Sequence, residues 1–239
     1  MNIVKISSFL ELIDIVATKN CCGHHVYRGV SDSNNHKLIP SIGRANGYLL
    51  PDEVVILDSF KKRTYNSLQK HPNSDWEWLA LAQHHGLPTR LLDWTSSPLI
   101  AAYFATKPEI DEQTGKVKQC CKNGSAIYCL HFCNYLDTET IANPFQIIQP
   151  GIFFPPHITE RISGQAGLFS IQPDPSVEYR PTYDGDLTKY EFDSNIASEI
   201  QSGLFFLGVR EDSIFPDLDG FTRGIRTKHA IAECHYKQC

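Results

Sequence analysis

Trp76-Glu-Trp-Leu-Ala-Leu-Ala-Gln-His-His-Gly-Leu-Pro-Thr-Arg-Leu-Leu-Asp-Trp-Thr-Ser-Ser-Pro-Leu-Ile-Ala-Ala-Tyr-Phe-Ala105 sets two helix patterns around one extended passage. Asp75 caps the first helix, Trp76 to His85; Gly86 supplies a left-handed stop and Pro88 prevents continuation. Leu87 to Trp94 then reads as extended chain. Ser97 followed by Pro98 is a preferred helix start, so Leu99 to Lys107 forms the second helix. Gln83, His84, His85, Arg90, Asp93, Thr95 and Ser96 are set into this frame. Singly each has a structural explanation: Asp93 with Arg90 as an ion pair, His84 as a hydrogen-bonded core histidine, Ser97 as a cap. Beside bulky tryptophans, so many polar groups must be paired or face a ligand, and together they point to the floor of a cleft.

Upstream, Ser8 and Glu11 have capping-box spacing, and Phe9, Leu12, Ile13 and Val16 recur at helical intervals until about Lys19. His24 to Val30 is rich in strand formers and brings Arg28 to a strand end. Asp32 to Gly47 is a polar loop. Pro51-Asp-Glu then opens a helix that runs to about Lys70 and turns Val54, Val55, Leu57 and Phe60 toward the core. Downstream, Lys107 to Gly124 reads as a mobile polar insertion, Ser125 to Cys133 as the clearest strand and Ile147 to Phe154 as a weaker one. Thr159 to Ile171 ends as a strand, Tyr190 to Phe192 is a short strand, and Ile196 to Leu207 and Pro216 to Cys234 are helices. Strands and helices mix without regular alternation. That order predicts a single α+β domain over 1–239, with mixed or antiparallel sheets and flanking helices.

With 239 residues, 41% of them hydrophobic and 11% aromatic, the chain can bury a sizeable core. Its net charge of -5 argues against bulk attraction to nucleic acid or an anionic membrane, while leaving room for a local basic groove. The first residues lack an uninterrupted apolar run, and no later run approaches the ~20 apolar residues that span a bilayer, so a soluble cytoplasmic protein without a membrane partner is expected. Cys21-Cys22 and Cys120-Cys121 are adjacent pairs, unsuited to the Cys-x-x-Cys spacing of zinc sites, and Cys129 and Cys133 share a strand face as packing residues. His84 and His85 cannot both face one metal from consecutive helical positions. There is no Walker A loop, Rossmann glycine fingerprint, His-Glu-x-x-His or Gly-x-Ser-x-Gly. No metal is expected.

Tyr27-Arg-Gly29, Gln83-His-His-Gly-Leu-Pro-Thr-Arg-Leu-Leu-Asp-Trp-Thr95 and Pro98-Leu-Ile-Ala-Ala-Tyr-Phe-Ala105 strongly resemble the FRG domain family, named for an aromatic-Arg-Gly motif. The resemblance continues through Arg161-Ile-Ser-Gly-Gln-Ala-Gly-Leu-Phe169 and Ile214-Phe-Pro-Asp-Leu-Asp-Gly220, covering about residues 20 to 225. More distantly, a strand-borne Tyr-Arg-Gly followed by Thr95-Ser-Ser and a short helix is similar to the first two motifs of Arg-Ser-Glu ADP-ribosyltransferases. That similarity implies a split sheet and NAD as substrate. It implies that Arg28, flanked by Tyr27 and Gly29, binds NAD phosphates through its guanidinium fork. Thr95 and Ser96 then hydrogen-bond the nicotinamide ribose or brace the site, Trp94 or Tyr103 stacks on the nicotinamide, and Gln83, Arg90 and Arg161 complete the binding set.

The third motif departs from that pattern, because no Glu-x-Glu occurs. If Arg161 to Phe169 takes its place, Gln165 stands where a carboxylate belongs; it can orient a hydroxyl but cannot act as a general base. Glu160, Glu191, Glu199, Glu233, Asp93 or His84 must supply that role, so Arg28, His84, Asp93 and Gln165 form the candidate catalytic set. Three readings stand: an NAD-dependent ADP-ribosyltransferase-like enzyme acting on a nucleic acid or protein; a non-catalytic nucleotide-binding or protein-interaction module; and a metal-independent RNA-processing enzyme using His84 and Arg28. A toxin or phage-defence effector fits either enzymatic reading. The nucleotide reading requires Arg28, the Gln83 to Thr95 segment and Gln165 to share one pocket.

Overall fold

The computed structural model describes every residue except 20–23, 45–46, 108, 112, 115–116, 119–122, 156–163, 183–185 and 237–239. The strands are β1 (Asn2–Lys5), β2 (His25–Val30), β3 (Leu92–Thr95), β4 (Glu109–Ile110), β5 (Val117–Lys118), β6 (Ser125–His131), β7 (Gly151–Phe153), β8 (Gly167–Ile171) and β9 (Leu187–Phe192). The helices are α1 (Phe9–Lys19), α2 (Glu53–Thr64), α3 (Asp75–His84), α4 (Pro98–Thr106), α5 (Ser194–Phe206), α6 (Glu211–Ile214) and α7 (Leu218–Tyr236). Seven strands form one open sheet in the order β1-β9-β6-β2-β3-β8-β7. β1 runs parallel to β9 and every other pairing is antiparallel, so the architecture is α+β with a mixed sheet.

The seam between β2 and β3 positions the site. β2 pairs residue by residue with β6, from His25 opposite His131 to Val30 opposite Ala126, and β3 pairs with β8 from Leu92 to Thr95. Between them β2 and β3 share a single registered pair, Tyr27 with Thr95. The sheet is therefore continuous but nearly split, and beyond that pair the two strands leave a gap.

Period-two alternation sends the two sides of each strand to different cores. Tyr27, Ile127, Cys129, Tyr190 and Phe192 pack against α4 and α5, while Val26, Val30, Trp94, Ala126, Tyr128 and Leu130 pack with Leu38 and Tyr179 on the other face. A third cluster joins α2 and α3 to β7 and β8 through Leu57, Trp76, Leu79, Phe153, Phe169 and Ile171. Gly29 is required by this layering: a Cβ there would lie 1.8 Å from the Ala101 carbonyl oxygen. β2 rides directly on the backbone of α4, an approach open only to glycine.

Several local readings hold. The Ser97 side chain accepts from Ile100 N–H, with Pro98 in the first turn, and Gly86 has φ +84 after α3. Others need correction. The cap of α3 is Ser74, which accepts from Glu77 N–H, and Asp75 is the first helical residue. Val54 and Val55 are exposed, because α2 turns Glu53 and Leu57 inward instead; a hydropathy pattern cannot anticipate an inward carboxylate that has found a buried cation. Cys129 is buried but Cys133 lies beyond the end of β6 and is exposed. The Lys107 to Gly124 segment contains the antiparallel β4–β5 pair. β1 and the short α6 carry too few residues to leave a periodic signal. Cys21, Cys22, Cys120 and Cys121 lie outside the described residues. Among the described residues no cluster of three or more His, Cys, Asp or Glu suits a metal, and no helix is long and apolar enough to cross a membrane.

Candidate functional site

Where β2 and β3 part, a cavity of about 300 Å³ opens. β2 contributes Tyr27, Arg28 and Gly29; β3 contributes Asp93, Trp94 and Thr95; the end of α3 contributes Gln83 and His84. Gln165 and Gly167 to Phe169 close one side, and Phe104 and Phe215 another. Arg28, Gln83, His84, Asp93, Thr95 and Gln165 meet at this cavity, although they come from segments far apart in the chain.

Arg28 crosses the gap between the strands. Its Nη1 donates to the Asp93 carbonyl at 2.6 Å and lies 3.5 Å from Asp93 Oδ2, while its buried Nε has no hydrogen-bond partner among the described residues. The two side chains differ in setting: that of Arg28 is 16% exposed and that of Asp93 62%. Arg44, anchored by donation from Nε to the Ile39 carbonyl at 3.0 Å, has its pKa lowered by burial and then by the Arg28 cation. A second guanidinium thus sits in the field of the first, and among the described residues Asp93 is the only carboxylate lining the cavity.

Asp93 is oriented from behind. Gln83 Nε2 donates to Asp93 Oδ1 at 2.9 Å and to the Leu91 carbonyl at 3.3 Å, while Gln83 Oε1 accepts from the Thr89 hydroxyl. A carboxylate only accepts, so the amide nitrogen must face Asp93 and its oxygen must face a donor, which Thr89 supplies. Thr89 is 1% exposed and is tied by its backbone N–H to Ser41 Oγ at 3.1 Å. Thr89 stands inside the Gln83 to Thr95 motif, and its contact with Gln83 reveals its role.

Gln165 is positioned from β3. Thr95 Oγ1 donates to the Gln165 carbonyl at 2.8 Å, and Ser96 N–H donates to the Ala166 carbonyl at 3.1 Å. These bonds pin a turn in which Ala166 adopts φ +46, a conformation that costs a non-glycine residue about 1–2 kcal/mol. Ser96 is thus a brace through its backbone and is not among the lining residues.

Other expected residues lie elsewhere. Arg90 is buried and paired with Glu53, not Asp93: Nε donates to Oε1 at 2.9 Å and Nη2 to Oε2 at 2.7 Å. Its Nη1 donates to the Pro144 carbonyl at 3.4 Å, and its guanidinium lies 5.0 Å from the Phe145 ring centre. Tyr103 points to a different cavity; on the helix, adjacent residues diverge by about 100°, and its neighbour Phe104 takes the site. Trp94 borders the site, but its indole N–H donates to Ser170 Oγ at 2.8 Å and its ring packs edge-on to Tyr179, 6.2 Å away. Of the glutamates weighed for the missing motif, Glu191 pairs with Lys189 at 2.7 Å and Glu199 accepts from Phe9 N–H at 3.0 Å. Arg161 and Glu160 lie outside the described residues, as does the side chain of Glu233.

No curated protein and no solved structure matches the chain. The segments read at 161–169 and 214–220 fall beyond the one matched stretch of a family model. That stretch, residues 23–114, contributes both strands of the seam, the Gln83–Asp93 bond and the helix that Gly29 rides on, and it matches the FRG domain.

Proposed function

We propose that the cavity binds the nicotinamide-nucleoside half of NAD and that the protein transfers ADP-ribose to a macromolecular acceptor, a nucleic acid or a protein. What carries the reading is the meeting of Arg28, Asp93, Gln83 and Gln165 at one gap in a nearly split sheet. The buried, unpartnered Nε of Arg28 beside the Arg44 cation favours an anion such as a phosphate. Tyr27, Phe104, Phe169 and Phe215 form aromatic walls for a flat ring. At about 300 Å³ the cavity stands near the lower bound for ligand sites, so it accommodates one nucleoside half rather than a whole dinucleotide.

In this scheme the bond between nicotinamide nitrogen and ribose C1′ breaks and its electron pair leaves with nicotinamide. Asp93 stabilises the positive charge that develops at C1′, and the acceptor's nucleophilic atom attacks that carbon and gives up a proton. Gln165 orients a ribose hydroxyl. The second reading, a nucleotide-binding module without turnover, is favoured by one observation: Asp93 is already engaged by Arg28 and Gln83, and among the described residues no glutamate lines the cavity.

Calorimetric titration with NAD, followed by incubation with NAD and cell extract, separates the readings. Binding with nicotinamide release and a labelled acceptor is expected. Binding without release by folded protein transfers the site to the module reading. Absence of NAD binding overturns both, and RNA cleavage without NAD assigns the site to phosphodiester chemistry through His84.

A further inference from the structure

Residues 59–74, from the last turns of α2 to the start of α3, contain Lys61, Lys62, Arg63 and Lys70 and no acidic residue. The stretch carries +4 in a chain of net charge -5, which leaves -9 on everything else. Lys61 is engaged, 2.7 Å from Asp75 and 3.6 Å from Asp58. Lys62, Arg63 and Lys70 are exposed, and their side chains take part in no ion pair or hydrogen bond among the described residues. Cations in the last turn of α2 oppose the negative end of its dipole, which accounts for Lys61, Lys62 and Arg63. It does not account for Lys70, which stands outside any helix, beyond a 3-10 turn at Tyr65–Ser67.

An aromatic pair lies within the cluster. Tyr65 and His71 stack with ring centres 4.2 Å apart and planes 18° from parallel, which draws Lys70, next to His71 in the chain, back toward the end of α2. His71 covers one face of the Tyr65 ring, yet Tyr65 remains 57% exposed. Exposed cations interleaved with a ring that still meets solvent are the two components of a single-strand platform: the cations track phosphates and the ring stacks a base. We infer that the corner between α2 and α3 binds single-stranded nucleic acid, with Lys62, Arg63 and Lys70 on backbone phosphates and a base on Tyr65. An acidic peptide satisfies the cations but leaves the ring unused. A lipid surface needs apolar side chains beside the cations, and apart from Tyr65 the exposed residues from 62 to 70 are polar or charged. A duplex keeps its bases stacked on one another. α3 begins beside this corner at Asp75 and ends at His84, which lines the cavity of the seam, so the two sites stand at opposite ends of one helix, about 15 Å long. The surface stands without the nucleotide reading; that it docks the acceptor of ADP-ribose rests on that reading.

The test measures fluorescence anisotropy of a labelled single-stranded RNA of about 12 nucleotides mixed with the full chain. NAD is absent throughout, so failure here leaves the nucleotide reading standing, and failure of that reading leaves this surface untouched. Binding with Kd of about 1–100 µM is expected near 0.1 M salt, where a Debye length of about 10 Å screens the acidic remainder of the molecule. Log affinity should fall against log salt with a slope of about -2, at about 0.7 per phosphate contact. Tyr65→Ala should weaken binding roughly five- to a hundredfold with the slope kept, and Tyr65→Phe should restore it, since the ring and not the hydroxyl stacks. The triple change Lys62→Gln, Arg63→Gln and Lys70→Gln should bring the slope close to zero, with the fold verified by circular dichroism. No binding, equal or tighter binding of duplex RNA, polyglutamate or phosphatidylserine vesicles, unchanged affinity in Tyr65→Ala, or an unchanged slope in the triple variant overturns the assignment.

Discussion

Two arginine–carboxylate pairs flank the same short stretch of chain and have opposite fates. Arg90 and Glu53 are 8% and 6% exposed, bonded through two nitrogens, with the remaining arginine nitrogen on a carbonyl and an aromatic ring beside the guanidinium. Arg28 and Asp93 touch through one nitrogen, with the carboxylate largely in solvent and the arginine Nε unpaired. The first pair has no remaining capacity for a ligand; the second has donors and a carboxylate available. The difference teaches that a charged pair becomes a site when the fold satisfies it incompletely.

The largest effect expected from breaking this comparison is structural. Arg90→Ala should lower stability by roughly 3–5 kcal/mol, since it strands a buried carboxylate, whereas the double change Arg90→Met with Glu53→Leu should recover most of that loss. Chemical denaturation measures both. A double variant as unstable as the single one would give the pair a role beyond charge compensation.

Arg28→Ala should behave in the opposite way. Its stability should change by about 1 kcal/mol or less, as for a pair with an exposed partner, while NAD affinity falls at least about tenfold, the worth of a charged hydrogen bond. Calorimetry on the folded variant decides this, and retained affinity would remove Arg28 from the site. Asp93→Asn should keep NAD affinity within about threefold yet lower nicotinamide release by at least about a hundredfold, because charge at C1′ develops only on the way to the transition state. A release rate equal to wild type would end the catalytic assignment of Asp93.

Smaller effects sharpen the open pair. Thr89→Val removes the donor that fixes the Gln83 amide and should cost about 1–3 kcal/mol of stability, the cost of an unsatisfied buried acceptor. If nicotinamide release drops in the same variant with NAD affinity retained, Thr89 acts by aiming Asp93. Smallest of all, Ala166→Gly should stabilise the protein by up to about 1 kcal/mol, relief of the positive φ being partly offset by glycine's unfolded-state entropy. Destabilisation instead would mean that the Ala166 methyl contributes packing that outweighs its backbone strain.

Much of the scaffold was legible locally. Ser97-Pro98, Gly86, and the β-branched and aromatic run before Gly29 each act within a few residues, and each lies where its chemistry predicts. The polar set from Gln83 to Thr95 was also legible as a cleft floor, because its composition is poorly suited to a simple core. Arg90 was misplaced because its partner is 37 residues away on a helix whose apolar pattern favoured Val54 and Val55. The role of Thr89 was not legible, although it lies inside the motif, because it rests on a side-chain contact with Gln83 that spacing does not reveal.

By itself, then, the sequence determined the helix starts and stops, the strand that carries Arg28 and the kinds of side chain at the site, since capping, periodicity and glycine handedness are local. Only the tertiary structure decided which carboxylate each arginine meets, and that Phe104 rather than Tyr103 faces the first cavity. Those choices depend on the rotation of α2 and α4 against the sheet. That rotation is set by contacts between distant segments, such as Gly29 against the Ala101 carbonyl, whose geometry no local pattern encodes.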